Sequence, residues 1–367
     1  MDMQATMTTK LDEARAAAFA DEIGRTLNAG AVAVMISIGH RTGLFDVLAR
    51  MAPASSSTVA ATAQLAERYV REWLAVMVSG GIVTYDPDRR TYALPAEHAA
   101  CLTRDGALGN LAVYAQAVAM MGTVQEPILD CFETGAGLRY EDYPRFHEFM
   151  AEDSAQTVTA QLFSAILPLV DGLEAALARG IDVLDAGCGR GSALLALAAR
   201  FPRSRFTGYD LCADAIDVAA TAARHAGLDN VRFEARDLTE LAETSAYDLI
   251  TSFDAVHDQR DPQDLLRRLS RALRPGGTYL MQDIGGSARL EKNGDFAMAP
   301  LLYAISCVHC TPVSLGQGGA GLGTMWGWET ALEMLQQAGF GSIDKHVLPH
   351  DTMNVWFVAR RSARCID

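Results

Sequence analysis

The feature that most constrains this chain is a short apolar stretch, residues 181–184, that ends at an acid and three alternating glycines. The sequence VLDAGCGRG occupies residues 183–191, and the alanine- and leucine-rich stretch 192–199 has the composition of a helix. A strand, a tight glycine turn and a helix in this order begin a doubly wound α/β sheet. Glycines at such a turn let the backbone approach a ligand and expose helix N-terminal amides. The pattern therefore predicts a ligand site at the end of this strand.

The spacing of the glycines indicates which kind of ligand binds. Dinucleotide-binding turns follow the pattern GxGxxG, whereas residues 187–191 read GxGxG, and Ser192 occupies the position of the third glycine. A pyrophosphate needs the longer cradle. The next predicted strand, residues 206–210, ends in Asp210 about twenty residues further on, where an acid can accept two hydrogen bonds from a ribose.

VLDAGCGRG followed by Asp210 resembles the S-adenosylmethionine site of class I methyltransferases, whose ligand has an amino-acid tail where a dinucleotide has phosphates. The resemblance implies an α/β, Rossmann-like domain of seven strands, with the methionine tail at the first turn and adenine near an acid after the third strand. That acid is Asp237, which could instead cap the turn that follows it. Residues 274–277, RPGG, match another landmark of the family, a turn before the fifth strand. The resemblance implies that nine residues bind the cofactor: Asp185, Gly187, Gly189, Gly191, Asp210, Leu211, Asp237, Leu238 and Phe253.

Composition limits the partners and the compartment. A chain of 367 residues is longer than one typical domain, and half of its residues are hydrophobic, which suffices for a sizeable core. The formal net charge of −14 repels nucleic acid and anionic lipid. Seven cysteines without a dense framework favour a reducing compartment. Residues 1–10 lack a secretory pattern, and the longest apolar stretch, residues 29–38, is too short to span a bilayer. We expect a soluble cytoplasmic protein with neither a nucleic-acid nor a membrane partner.

The N-terminal third has the pattern of a winged helix, mainly α with one hairpin. Apolar spacing predicts helices within residues 11–50 and over 67–78, and residues 82–85 and 91–94 read as paired strands. This stretch resembles the dimerisation domain of small-molecule O-methyltransferases, which implies a homodimer. A DNA-binding role is the alternative, but a DNA reader shows a clustered basic face. The helix that would contact DNA, residues 67–78, instead has equal numbers of acidic and basic residues: Glu67, Arg68, Arg71 and Glu72.

The sequence pattern divides the chain after the N-terminal domain into two further segments. We expect residues 1–105 to form the winged-helix-like domain, 106–179 a helical connector that lines the substrate site, and 180–367 the methyltransferase domain. The connector's role is implied by the resemblance. Residues 316–323 contain five glycines in eight positions, too many for a core segment. We interpret this loop as a flexible cover over the substrate. The alternative is a linker without a functional role.

Methyl transfer from a sulfonium to a hydroxyl needs an aligned acceptor and a group that removes its proton. His257 and Asp258 lie where plant-type O-methyltransferases have a His-Asp-Trp sequence whose histidine deprotonates the acceptor, and Gln259 replaces the aromatic residue. The resemblance therefore implies His257 and Asp258 as catalytic residues. A structural His257, tied to a backbone carbonyl, is the alternative.

Three functions remain open from sequence. The first is S-adenosylmethionine-dependent O-methylation of a small, fairly apolar molecule. The second is C-methylation of a 2-oxo acid, because relatives that do so hold iron with a His-Asp pair and a later histidine, here His257, Asp258 and His309. The third is a DNA-binding regulator that senses S-adenosylmethionine. Cys307 and Cys310 form one CxxC without a second pair, which is weak support for zinc, and buried apolar cysteines are the default. Whether any metal binds is left open.

Overall fold

The chain divides into two compact units, Met1–Ala119 and Met120–Asp367. The computed structural model describes residues 11–362. Each unit has its own apolar core, the first around Trp73 and the second on both faces of a large sheet. The three-part division at residues 105 and 179 stays a prediction.

The first unit consists of helices with a short β-hairpin, as the winged-helix pattern predicts. The side chain of Asp12 caps the first helix by accepting from the Arg15 amide at 3.1 Å, and Gly43 ends that helix with a φ of 73°. Three residue pairs join the two strands of the hairpin. The elements are α1 (Glu13–Thr42), α2 (Leu44–Ala49), α3 (Ser56–Ala63), α4 (Glu67–Ser79), β1 (Thr84–Asp86), β2 (Thr91–Ala93) and α5 (Ala96–Leu102).

Gly39 allows α1 to lie against the largest side chain of the first core. A β-carbon at Gly39 would lie 2.5 Å from Trp73 Cζ2 and 2.8 Å from Phe45 Cε2. We expect Gly39→Ala to lower the free energy of unfolding of this unit by about 1–3 kcal/mol, the usual cost of overpacking. Gly30→Ala on the same helix meets nothing within 4 Å and should instead add up to about 1 kcal/mol through helix propensity. Urea unfolding of both variants measures the difference, and equal stabilities would contradict this packing.

The second unit is built on a seven-stranded sheet in the order β5-β4-β3-β6-β7-β9-β8. The strands β3 to β7 are mutually parallel. At one edge β9 pairs antiparallel with both β7 and β8, so β9 alone runs against the other strands. The predicted Rossmann-like sheet of seven strands is confirmed. The strands are β3 (Asp182–Ala186), β4 (Arg205–Asp210), β5 (Val231–Ala235), β6 (Tyr247–Phe253), β7 (Leu273–Ile284), β8 (Phe340–Leu348) and β9 (Asp351–Arg361).

Helices cover both faces of the sheet and add a layer beside its ligand-binding edge. The sixth helix, α6, contains the junction of the two units in the sequence. The helices from there on are α6 (Ala115–Thr123), α7 (Gln125–Thr134), α8 (Phe146–Thr157), α9 (Leu173–Arg179), α10 (Ser192–Arg200), α11 (Ala213–His225), α12 (Pro262–Ala272), α13 (Ala299–Ile305), α14 (Thr311–Gly316) and α15 (Trp328–Gln337).

Two segments differ from the predicted elements. The RPGG stretch lies within β7 as a bulge, because Leu273 pairs with Tyr247 while the next pair joins Thr278 to Leu249. The apolar pattern of residues 296–310 predicts one helix. The helix begins at Ala299, passes through a π-helical turn, Ser306–Cys310, and continues into α14. An apolar pattern indicates helix here but does not reveal the wider turn.

Glycines let the end of α14 lie directly against another loop. A β-carbon at Gly316 would lie 2.0 Å from the Leu138 carbonyl oxygen, and one at Gly137 would lie 2.0 Å from the Gly316 amide nitrogen. The Leu138 amide also donates to the Pro312 carbonyl at 2.9 Å. This seam of Gly137 and Gly316 therefore fixes two backbone segments in contact. The glycine-dense loop that follows is packed as well, since the Ala320 amide donates to the Arg260 carbonyl at 3.2 Å.

By length and composition, one helical stretch among residues 11–362, Ala299–Gly316, is apolar enough to cross a bilayer, and the bent pair Phe146–Leu169 with Leu173–Arg179 passes the same test together. Core helices also pass this test. His309, Cys310 and Val313 of the first stretch are buried inside the second unit. The stretch therefore contributes to the core of that unit.

Candidate active site

A cleft of about 1070 Å³, open to solvent, lies at the carboxyl ends of the parallel strands and is walled on one side by α8. Carboxyl ends of parallel strands meet at one edge of a sheet, which brings residues far apart in sequence together. All nine residues assigned to the cofactor by sequence line this cleft, and so does Asp258. These ten are Asp185, Gly187, Gly189, Gly191, Asp210, Leu211, Asp237, Leu238, Phe253 and Asp258.

The glycine turn has a backbone that only glycine adopts readily. The φ angles of Gly187, Gly189 and Gly191 are 79°, 51° and 72°. A β-carbon at Gly191 would also lie 2.4 Å from the ring of Phe233. The Gly187 amide donates to the carbonyl of Tyr209 at 2.8 Å, which ties the turn to β4. The turn is therefore fixed in place with its backbone facing the cleft.

Asp210 joins the glycine turn to the end of β4. Its Oδ2 accepts from the Gly189 amide at 2.8 Å, and its Oδ1 accepts from the Cys212 amide at 2.9 Å. Each carboxylate oxygen has a further lone pair, so these bonds leave acceptor capacity for a ligand. The position and the remaining capacity suit a ribose diol.

Asp185 is a buried acid beneath the glycine turn. It is 2% exposed, and the hydroxyl of Thr251 donates to its Oδ1 at 2.7 Å. Burial raises the pKa of Asp185 to about 7, although the Thr251 hydrogen bond lowers it and the nearby Asp210 raises it further. This carboxyl group therefore changes its charge near neutral pH.

Cofactor affinity is expected to depend on pH through Asp185. Its pKa of about 7 means that it is mostly neutral at pH 6 and mostly ionised at pH 8, and only the ionised form attracts the ammonium group of the methionine tail. The affinity for S-adenosylmethionine should therefore rise with pH, by up to about tenfold per unit below the pKa, and level off above it. Titration calorimetry across this range measures the profile. Asp185→Asn should flatten it, and a flat profile for the unaltered chain would contradict this role.

Asp237 caps a turn and also lines the cleft, and its cofactor role stays a prediction. Its Oδ1 accepts from the Thr239 amide at 2.8 Å and from the Thr239 hydroxyl at 2.7 Å, which caps the 3-10 turn Leu238–Glu240. Asp237 also lines the cleft beside the buried Leu238. Capping uses one carboxylate oxygen, so the other is available for an adenine amino group.

His257 lies behind Asp258 and does not line the cleft. It is 2% exposed, and its Nδ1 donates to Asp283 Oδ1 at 2.8 Å, while its Nε2 lies 3.4 Å from Asp258 Oδ1. Its partner is thus a carboxylate rather than the backbone carbonyl of the structural alternative. Asp283 also accepts from Trp326 Nε1 at 2.9 Å. Sequence reasoning missed Asp283, although an acid near the end of the fifth parallel strand was a usable signal.

The charge on His257 follows from the acids around it. Burial alone would lower the pKa of His257, but Asp283 and then Asp258 raise it well above its usual value. Burial raises the pKa of Asp254, another acid in this group, to about 7. Burial lowers the pKa of His309 to about 4, so that imidazole is neutral. The group therefore contains one imidazolium among several acids.

Tyr140 and His309 lie near Oδ2 of Asp258, the oxygen that does not face His257. The hydroxyl of Tyr140 donates to Asp258 Oδ2 at 3.3 Å, and His309 Nδ1 lies 4.0 Å from the same oxygen. The His309 ring stacks on Phe146 with centroids 4.0 Å apart. The donor atoms of His257, Asp258 and Cys310 all lie within 4.8 Å of one another. Within residues 11–362, Cys310 rather than His309 completes this group of mutually close metal-ligating atoms.

The walls of the cleft are strongly acidic. Its basic lining residues are Arg190, whose Nη2 lies 3.6 Å from Glu148 Oε1, and His147. The acidic lining residues outnumber these two and are Asp185, Asp210, Asp237, Asp254 and Asp258. Such a wall attracts a cationic ligand and repels an anionic one.

Two family models match this chain in the order that the fold suggests. Residues 30–104 match an Rv2258c-like winged HTH domain, and residues 177–339 match a methyltransferase domain. The winged-helix and methyltransferase predictions are confirmed.

Similar proteins carry related names. The trans-aconitate 2-methyltransferase of Deinococcus radiodurans is 37% identical over 34% of this chain and 43% of its own length. A ubiquinone biosynthesis O-methyltransferase of Paracidovorax citrulli is 31% identical over 33% of this chain and 50% of its own length. The chain thus spans about half the length of these curated relatives.

Solved structures of other proteins have a fold similar to that of this chain over most of its length. Human N-acetylserotonin methyltransferase, solved in complex with S-adenosylmethionine, superposes with a TM-score of 0.66 at 18% identity, covering 97% of this chain and 100% of the other. At that identity the likeness establishes the fold. Together with the two family matches, over residues 30–104 and 177–339, it shows that the chain contains an N-terminal winged HTH domain and a methyltransferase domain of the class I fold.

Proposed function

We propose that this protein transfers the methyl group of S-adenosylmethionine to a hydroxyl oxygen of a small, uncharged and fairly apolar molecule. The observation that carries the proposal is the cleft, where the glycine turn, Asp210 and Asp237 face one volume at the carboxyl edge of the sheet. These groups suit, in turn, the methionine tail, the ribose and adenine. The acidic wall favours a sulfonium cofactor, which is a cation.

The lining of the cleft also narrows the acceptor. Side chains of α8 and of the loop before it give the cleft an apolar and aromatic side, formed by Tyr140, Phe146, Met150 and Val158. A carboxylate acceptor would have to enter beside five acids, so the wall favours a neutral alcohol or phenol. This disfavours C-methylation of a 2-oxo acid, and the O-methyltransferase names among the matched relatives point the same way.

The proton of the acceptor hydroxyl is proposed to pass to the pair of Asp258 and His257. Asp258 lines the cleft, so its carboxylate is the member within reach of an acceptor. His257, held at Nδ1 by Asp283, lies behind it with Nε2 toward Asp258 Oδ1. In this arrangement Asp258 contacts the acceptor and His257 orients and stabilises the carboxylate.

The test is a transfer assay with deuteromethyl S-adenosylmethionine and fractionated small-molecule extracts. The expected result is a labelled product whose carbon shift in NMR identifies a methyl ether. A methyl group attached to carbon would support the C-methylation alternative instead. Well-folded protein that neither binds the cofactor by calorimetry nor labels any fraction would refute the proposal.

The alternative of a DNA-binding regulator lacks a free basic surface on α4. Arg71 Nη2 lies 2.6 Å from Glu67 Oε2, and Arg68 pairs with Glu72 on the same helix. These guanidinium groups are therefore engaged by acids rather than open to phosphates. We expect no shift of genomic DNA fragments on gels at physiological salt.

We further propose that the protein is a cytoplasmic homodimer that assembles through α1. Phe19, Ile23 and Leu27 are 66%, 44% and 70% exposed and follow one another at four-residue spacing, so they form one apolar stripe. The cysteines described within residues 11–362 are all free, which suits a reducing compartment.

Disrupting the stripe on α1 is expected to yield monomers. The double variant Phe19→Asp, Leu27→Glu places two charges on the proposed contact, and desolvating them opposes association. Light scattering after size exclusion should show half the mass of the unaltered protein. The control is Ala14→Glu, an exposed position about 180° around α1 from Ile23, which should remain dimeric. A monomeric unaltered protein would disprove this assembly.

A further inference from the structure

We propose that the buried group behind the cleft, His257, Asp258 and Cys310, is a site for one divalent transition-metal ion. The imidazole nitrogen, carboxylate oxygen and thiol sulfur that would bind it lie within 4.8 Å of one another. Their side chains are almost fully buried, with 2%, 6% and 4% of each residue exposed. Nitrogen, oxygen and sulfur donors together select ions of the zinc and ferrous class over magnesium and calcium.

The distance between His257 Nε2 and Asp258 Oδ1 fits two ligands of one ion. At 3.4 Å it is long for a charge-assisted hydrogen bond. Two bonds of about 2.1 Å at a tetrahedral angle place their donor atoms about 3.4 Å apart. Among the described residues, Asp258 Oδ1 is buried without a hydrogen-bond partner. An ion shared by these two atoms would account for both the spacing and the unsatisfied oxygen.

The surroundings of the three ligands have the arrangement that metal sites require. A metal-binding histidine usually donates its other ring nitrogen to a carboxylate, and His257 Nδ1 donates to Asp283 Oδ1 at 2.8 Å. Asp283 is fixed in turn by Trp326 Nε1 at 2.9 Å. The hydroxyl of Thr324 donates to Cys310 Sγ at 2.7 Å, which suits a sulfur that carries negative charge.

Two buried carboxylates beside His257 are only partly satisfied. Asp258 and Asp283 are at most 6% exposed, and His257 is the nearby group that can neutralise them. One oxygen of each acid, Asp258 Oδ1 and Asp283 Oδ2, lacks a hydrogen-bond partner within the described part of the chain. Buried carboxylates normally have such partners or bind metals. Binding of a divalent ion would displace the proton of His257 Nε2 and the proton of the Cys310 thiol, so the net charge of the group would stay the same while Asp258 Oδ1 gained a partner.

The position of the ion relates it to the proposed methyl transfer. Asp258 lines the cleft, so an ion on its far oxygen would lie directly beneath the place where the acceptor enters. A hydroxyl near such an ion ionises more readily, which would favour acceptors with two neighbouring oxygens. This role rests on the proposed function, whereas ion binding itself does not.

The test is metal analysis of the full-length protein purified without chelator and then loaded with zinc or cobalt(II). We expect about one ion per chain, and with cobalt a thiolate charge-transfer band in the near ultraviolet. Cys310→Ser should abolish the band and weaken ion binding at least about tenfold. Asp258→Asn should weaken ion binding to the same extent. Cys307→Ser is the matched control, because Cys307 is the exposed member of the same CxxC and should leave binding unchanged.

Two outcomes would overturn the site. One is failure of the folded, unaltered protein to retain either ion, and the other is loss of the ion in His309→Gln with full retention in Cys310→Ser. Circular dichroism of each variant distinguishes lost ligation from lost folding. Ion-free protein that binds S-adenosylmethionine and transfers methyl groups would leave the proposed function standing without the metal. Ion-loaded protein that fails to bind S-adenosylmethionine would refute the proposed function and leave the metal site.

Discussion

Replacing Asp210 by alanine is expected to lower the affinity for S-adenosylmethionine about 30- to 4,000-fold, because the substitution removes a charged hydrogen-bond partner at a cost of about 2–5 kcal/mol. The loss has two sources. The ribose would lose its acceptor, and the glycine turn would lose the bond from the Gly189 amide that holds it against β4. Calorimetry with S-adenosylmethionine or its demethylated product measures the effect directly.

The matched control for Asp210 is Asp214→Ala on the neighbouring helix α11. The Asp214 side chain is 75% exposed and does not line the cofactor cleft, so the variant should bind as the unaltered protein does. Asp210→Asn separates the two sources of the loss, since an amide oxygen can still accept from the turn. Unchanged affinity in Asp210→Ala, in protein with normal unfolding behaviour, would disprove the assignment of this cleft to the cofactor.

Replacing Asp258 by asparagine is expected to lower kcat by about 10²–10⁴-fold while the cofactor affinity is unchanged. A general base contributes on this scale, and the amide cannot accept the proton of the acceptor hydroxyl. Stopped assays with saturating acceptor, together with calorimetry for the cofactor, measure the two quantities. His257→Asn should cause a smaller loss, because His257 acts on the acceptor through Asp258.

Asp229→Asn makes the same chemical change at an exposed residue that does not line the cleft, and it should retain full activity. A kcat in Asp258→Asn close to that of Asp229→Asn would rule out Asp258 as the proton acceptor. A parallel loss of cofactor affinity would instead indicate that Asp258 shapes the cofactor site.

The parts of the site that sequence predicts are those determined by local patterns. The strand, glycine turn and helix around residues 183–191 are contiguous, and Asp210 and Asp237 each follow a predicted strand. Parallel strands bring such carboxyl ends to one edge, so a linear pattern suffices to predict that these residues meet. Nine residues assigned in this way line one cleft, although their contacts with a cofactor stay predictions.

The cluster around His257 depends on contacts that no local pattern encodes. Asp283, Trp326 and Cys310 come from β7, from the loop before α15 and from the π-helical turn. The family resemblance suggested His309 as the third member, and ordinary helical periodicity does not anticipate the π-helical turn at which Cys310 lies. That turn changes the direction of successive side chains, and Cys310 Sγ is the atom close to both His257 and Asp258.

The seam between Gly137 and Gly316 limits how this enzyme can change its substrate. Two backbones touch there without intervening side chains, and Gln317, the next residue, is part of the cleft wall. Any larger residue at either glycine would force the wall itself to move, so mutation cannot widen or narrow the cleft at that point in small steps. We expect the acceptor specificity to change through α8 instead, because side chains of other sizes can replace Phe146 and Met150 there without moving the backbone.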